Sequence, residues 1–253
     1  MAGAAVVSFT ALFLLSTRPL PSWSAELPWS DAQQLVLVTT PDWDSSQGSL
    51  RTFVRAETGW KEIDAAVPVV VGRAGAAWGV GLHAPQGGPQ KHEGDGRSPA
   101  GVFAIGAAFG YADSASTALP YEPMDANDWC IDVSASPLYN RIVDAERVGA
   151  EAVAGSTEPM RRDLHRGDQL YEIGLVIEHN PAGKPGAGSC IFAHVWKSAD
   201  VPTAGCTAMA EPALRRLLSW LRPSADPVFV LLPMPEYERL RDDWTLPEIA
   251  PAG

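Results

Sequence analysis

The chain predicts a mainly β fold: a single β-rich domain with one helix near its C-terminus. Three observations lead there. Gly and Pro are both plentiful, at 23 and 22 of 253 residues, and are spread along the chain as turn signals. The apolar residues fall in short β-branched runs between those turns. Only one stretch carries leucines at helical spacing.

Taken in order, Leu35 to Thr40 (LVLVTT) reads as a strand. Leu50 to Glu57 alternates and follows a turn-rich segment, so the two suggest a hairpin. Val67 to Val71 is a third β-branched run, interrupted by Pro68 and closed by Gly72. Residues 84–101 read as a long Gly/Pro loop, of a length usually functional or disordered. Val102 to Ile105 and Trp129 to Val133 read as further strands, and residues 144–168 as a charged surface excursion. Tyr171 to Glu178 and Cys190 to Val195 are strands divided by a turn-rich loop. Leu214, Leu217, Leu218 and Leu221 then define the helix, with Pro212 near its start and Pro223 beyond its end. Val228 to Leu232 is a buried strand. No internal repeat or linker interrupts this single unit.

The formal net charge is −11, a poor match to nucleic acid, whose binding depends on phosphate neutralisation by Lys and Arg. Nothing in the sequence implies a stable protein partner. Residues Ala4 to Leu15 form an apolar run of signal-peptide length, and Ser22 and Ser24 place a cleavage site after Ser24. The expectation is a leader over residues 1–24, a mature domain over 25–253, and export to the periplasm or cell envelope. The alternative for the leader is a buried first strand or an uncleaved anchor. In an oxidising compartment, two of the three cysteines can pair and leave one free thiol.

Chemistry concentrates in one segment. His194 ends a strand, and Cys206 lies twelve residues later in a Thr-Ala-Gly-Cys turn. A cysteine needs a nearby base to be largely thiolate at neutral pH, and histidine is the usual partner. Gly205 lets backbone approach a substrate, and the peptide N–H groups of Gly205 and Cys206 are candidate oxyanion donors. On composition alone a His and a Cys at this spacing are more often structural.

The segments Glu93 to Phe103 (EGDGRSPAGVF), Trp129 to Asn140 (WCIDVSASPLYN), Ile173 to Asn180 (IGLVIEHN), Gly188 to Val195 (GSCIFAHV) and Pro202 to Met209 (PTAGCTAM) occur in one order. Over residues 92–232 they resemble the L,D-transpeptidase catalytic domain, YkuD/ErfK-like. The resemblance implies a YkuD-like, mostly β catalytic fold. It implies acyl transfer on peptidoglycan stem peptides, with a thioester on Cys206 and His194 as proton donor and acceptor. It also implies peptidoglycan as partner and no metal or organic cofactor. Two other outcomes stay open: a thiol hydrolase (carboxypeptidase or amidase) with the same dyad, and a cell-wall binding protein without turnover.

Other residues carry weaker signals. Thr203 in the Cys turn, Asn180 at a strand end and Arg141 are candidate substrate contacts. Asn180 reads more readily as part of a hydrogen-bonded turn, and Arg141 equally as half of a surface salt bridge. Cys190 is the rival thiol, but four residues of strand would hold it roughly 13 Å from His194. A Cys130–Cys190 disulfide is one pairing open to an exported chain. A zinc set of His179, Cys190, His194 and Cys206 is disfavoured, because the strand keeps two of its ligands apart. His92 reads as solvent-exposed, and His83 and His165 carry no supporting context.

Overall fold

The ends of the β-branched runs meet: eight strands close into a barrel. The computed structural model describes residues 1, 3 and 26–249. The candidate leader, residues 1–24, lies outside the described residues except for Met1 and Gly3. In chain order the strands are β1 (Gln34–Thr40), β2 (Gln47–Arg55), β3 (Trp60–Glu62), β4 (Val67–Val70), β5 (Ala76–Trp78), β6 (Ser98–Gly110) and β7 (Tyr121–Pro123). A second group follows: β8 (Asp128–Cys130), β9 (Ile142–Asp144), helix α1 (Ala145–Val148), β10 (Glu158–Pro159) and helix α2 (Arg162–His165). The chain finishes with β11 (Ile173–Ile177), β12 (Phe192–Val195), β13 (Thr207–Met209), α3 (Glu211–Trp220), β14 (Val228–Pro233) and α4 (Met234–Leu240).

The ring runs β1-β14-β6-β11-β12-β13-β4-β2 and closes through the antiparallel β1–β2 hairpin. Two of its pairings are parallel, β1 with β14 and β12 with β13. Closure removes free sheet edges. Strands β1 and β14 are buried along their whole length, which explains their continuous apolar sequences. One face fills the barrel, and α4 covers the pair from outside. Helix α3 packs on β11 and β12 through Leu214, Leu217 and Leu218.

This corrects the expected fold class on two counts. The strands close into an eight-stranded barrel, which replaces the YkuD-like architecture that the resemblance implied. The described residues hold four helices rather than one. Helices α1 and α2 are four residues each, too short to leave a periodic signal, and α4 spans seven with only Tyr237 and Leu240 buried.

Two segment boundaries also move. The expected loop over 84–101 gives way to strand at Ser98, because Pro99 and Gly101 are accommodated there. Gly101 has φ +136°, and a Cβ on it would lie 1.8 Å from Nε2 of His83, so only glycine fits beneath that imidazole. Cys190 is not on a strand. It is a left-handed loop residue with φ +56° ahead of β12, so the expectation that it shares a strand face with His194 fails.

Strands β8, β9 and β10 form a separate three-stranded sheet that pairs with no barrel strand. Residues 124–170, which carry this sheet, form a cap over one side of the barrel. A small second core of Phe109, Met124, Cys130, Met160, Tyr171, Cys190, Phe192 and Cys206 lies between cap and barrel.

Candidate binding site

A cavity of about 420 Å³ opens between cap and barrel, within the range typical of small-ligand sites. The barrel supplies His194 from β12, the turn Thr203–Cys206 ahead of β13, and the lip residues Arg73 and Lys197. The cap supplies Asp132, Thr157, Glu158 and Arg162. Glu93, Ser189 and the buried ring of Tyr171 complete the wall.

The turn that holds Cys206 is built by side chains. Thr203 Oγ1 donates to the Cys206 carbonyl at 2.6 Å and accepts the Gly205 N–H at 3.1 Å. Ser98, fully buried, donates its Oγ toward the carbonyls of Gly205 and Cys206 at 2.7 and 3.1 Å and accepts the Gly72 N–H at 2.9 Å. The backbone of the turn is therefore held on both sides.

Cys206 and His194 line the same cavity without bonding each other. The sulfur of Cys206 accepts the Phe192 N–H at 3.3 Å and donates to the Cys190 carbonyl at 3.4 Å. Nδ1 of His194 donates to the Val195 carbonyl at 2.8 Å, the tautomer that this acceptor requires. In the β12–β13 register His194 faces Ala208, two residues past Cys206, a displacement of about 7 Å along the strand. Burial pushes the Cys206 thiol up to about 12, with the nearby Glu158 carboxylate adding to the rise. Burial also pulls His194 down to about 4. Both groups are neutral at pH 7, so the thiol lacks the anionic form a nucleophile requires.

Charge around the cavity is unevenly matched. Arg162 is committed to Asp168 through two bonds of 2.8 and 2.7 Å, and its guanidinium lies 5.2 Å from the Tyr171 ring centre. Lys91 is buried against Asp95 at 2.6 Å. Arg73 and Lys197 are exposed, and among the described residues neither has an ion-pair partner. On the acidic side, Glu93 accepts from Ser189 Oγ at 2.6 Å and from Tyr139 Oη, both neutral donors. Asp132 accepts the Thr157 N–H at 2.9 Å, and no cation is paired with it among the described residues. Burial raises the Glu158 carboxyl, against the opposing pull of Tyr171 and Arg162.

Of the residues singled out from sequence, Cys206, His194, Gly205 and Thr203 all line this cavity. Asn180 and Arg141 do not. Asn180 is buried at φ +52°, with its side chain bonded to the Lys184 N–H and to the carbonyls of Lys184 and Gly188, so it builds a loop. Arg141 is exposed away from the cavity. His179 is likewise structural, holding the Val80 N–H and the Ala187 carbonyl. Sequence reasoning missed Arg73, Glu93, Asp132, Glu158, Arg162 and Lys197, which lie in five separate segments with no shared motif. Glu93 and Asp132 alone stood in segments that the resemblance used. Among the described residues no cluster of His, Cys, Asp and Glu is arranged to hold a metal ion.

Cys130 and Cys190 form a disulfide with Cα atoms 5.9 Å apart, which settles the pairing left open by the sequence and leaves Cys206 as the one free thiol. No protein-family model, no curated protein and no solved structure matches this chain. Together with the closed barrel, that overturns the resemblance to the L,D-transpeptidase (YkuD/ErfK-like) family. The expected acyltransferase mechanism falls as well. Two of the three cysteines are tied up in a disulfide, and the third is a buried, protonated thiol with no bond to His194. The thiol hydrolase outcome needs the same dyad and falls with it.

Proposed function

We propose that the protein binds short peptides carrying both a free carboxylate and a free amine, in the cavity between cap and barrel. The observation that carries this reading is the pairing of unmatched charges across one cavity. Arg73 and Lys197 stand free at the barrel lip, while Glu93 and Asp132 accept only neutral donors. A zwitterionic ligand completes both sides at once, and each charge-assisted bond is stronger than a neutral one. Cys206 and His194 then act as neutral wall groups, the sulfur as packing surface and the imidazole as a polar contact.

Peptidoglycan stem peptides offer both groups and are the ligand class we propose, with the cell envelope as the compartment. The leader-like run at residues 4–15 supports export. The Cys130–Cys190 disulfide does so as well, since such bonds persist in oxidising compartments. Among the described residues no helix is long and apolar enough to cross a membrane.

Calorimetric titration with a stem tetrapeptide tests the reading, alongside forms with the carboxylate amidated or the amine acetylated. Saturable binding is expected, weakened about tenfold by either block, which corresponds to about 1.4 kcal/mol. In the double variant Arg73→Ala/Lys197→Ala, amidation should no longer matter. Absence of binding to the free peptide, or equal binding of free and blocked forms, overturns the proposal.

A further inference from the structure

We infer that the Cys130–Cys190 disulfide is a redox-sensitive clasp that holds the cap closed over the cavity. The cap has no β-ladder to the barrel, so its attachment rests on a few points. Cys130 lies on β8, directly opposite the wall residue Glu158 of β10 and two residues before Asp132. Cys190 lies on the barrel side and lines the cavity itself. The disulfide therefore ties together the two walls whose separation defines the site.

The other attachments are at the ends of the cap, where the Met124 N–H donates to the Gly110 carbonyl and the Val195 N–H to the Leu170 carbonyl, and at a corner built by Tyr139 and Asn140. Asn140 Nδ2 donates to the carbonyls of His179 and Asn180 at 2.8 and 2.9 Å, and its Oδ1 accepts the Cys190 N–H at 2.8 Å. Tyr139 Oη bonds Glu93 and accepts the Gly188 N–H at 3.1 Å. With the disulfide cut, the corner and the two chain ends act as hinges, and β8 and β10 are kept seated by the second core, which itself loses the bridge at its centre. Such lightly packed units open at lower free energy than a barrel core.

Cys190 lines the cavity, which is the side from which a soluble dithiol approaches the bridge. A thiolate of the dithiol attacks one sulfur of the bridge, and its second thiol displaces the mixed disulfide. The protein S–S bond breaks and gains two electrons. The dithiol is oxidised to its disulfide, and its two protons end on Cys130 and Cys190. Opening by this route controls peptide access only if the binding reading above holds. The opening itself needs no ligand.

Cys206 reports it directly, because the thiol is 8% exposed and lies inside the second core. The test compares alkylation of Cys206 by iodoacetamide at pH 8 in the oxidised full chain and in Cys130→Ala/Cys190→Ala, where it is the sole thiol in both. Labelling is expected to be at least about tenfold faster in the variant, with its barrel intact by circular dichroism. Equal rates in a folded variant overturn the clasp. Should the variant fail to fold, hydrogen exchange of the wild-type chain before and after dithiol reduction decides. Faster exchange confined to residues 124–170 supports the clasp, and unchanged or uniformly raised exchange overturns it. None of these readouts involves a peptide, so a failed titration and a failed clasp are separate results.

Discussion

The amide of Phe192 points at the sulfur of Cys206 from 3.3 Å, while His194, two residues further along the same strand, faces Ala208. That register, set by the parallel β12–β13 pair, gives the thiol a backbone donor in place of a base. It makes Cys206 a packed member of the second core, with its proton retained by burial.

The first prediction follows from that burial. With the thiol near 12 in the folded protein, thiolate is the minor form throughout pH 7 to 10. The Cys206 alkylation rate should then rise about tenfold per pH unit across that range without a plateau. The sign for stability also follows. A folded-state value above the unfolded one, about 8.5, means that stability is present below pH 8.5 and declines as pH rises above it. A rate plateau below pH 9 would contradict the assignment.

His179 and His194 titrate in the opposite sense. Burial lowers both to about 4, against an unfolded value near 6.5. The unfolded chain binds more protons between those values, so stability is full above pH 6.5 and is lost as pH falls toward 4. Urea midpoints should drop between pH 6.5 and 4.5, and the two imidazole resonances should show no titration above pH 5. A histidine step near pH 6.5 for either ring would refute the burial argument.

Removing the clasp should also cost stability. The bridge closes a loop with a sequence separation of 60 residues. In the chain-entropy picture a loop of that length stabilises by about 4 kcal/mol. Equilibrium unfolding of Cys130→Ala/Cys190→Ala should show a loss of that order. A change below about 1 kcal/mol would mean that the reduced cap stays ordered in the unfolded reference.

Ser98→Ala should be costly for so small a change. The hydroxyl is fully buried and joins Gly72, Gly205 and Cys206 through three bonds. Its loss orphans the Gly72 N–H, at roughly 1–3 kcal/mol. It also loosens the Cys206 turn, so Cys206 alkylation should speed up in the same variant. Denaturant unfolding and labelling check the two arms separately: an unchanged labelling rate would mean that the turn is held by Thr203 alone, and an unchanged unfolding free energy that the Gly72 N–H finds another partner.

Leu214→Ala tests the barrel's outer cover. The side chain is fully buried where α3 packs on β11 and β12. Truncation should cost about 3 kcal/mol through lost burial and the cavity left behind. A loss below about 1 kcal/mol would mean that α3 can be displaced without disturbing the barrel.

The amino-acid sequence by itself determined what short-range physics controls. The β-branched runs became β1, β4, β11 and β14, and leucine spacing with flanking prolines became α3, because pleat and helix periods are written in neighbouring residues. Thr203, Gly205, Cys206 and His194 were legible as one group because a strand, a loop and a turn bring them together within thirteen residues of chain. Tertiary structure alone decided the rest. Ring closure depends on β1 meeting both β2 and β14, a pairing across almost the whole chain that no local pattern encodes. The cap, its disulfide and the free charges of Arg73, Lys197, Glu93 and Asp132 meet only once that ring exists. The one-residue-by-one-residue register of β12 against β13 then separated His194 from Cys206. Spacing in sequence limits how far apart two side chains can lie, but hydrogen-bond register and burial determine whether they touch and which proton each one keeps.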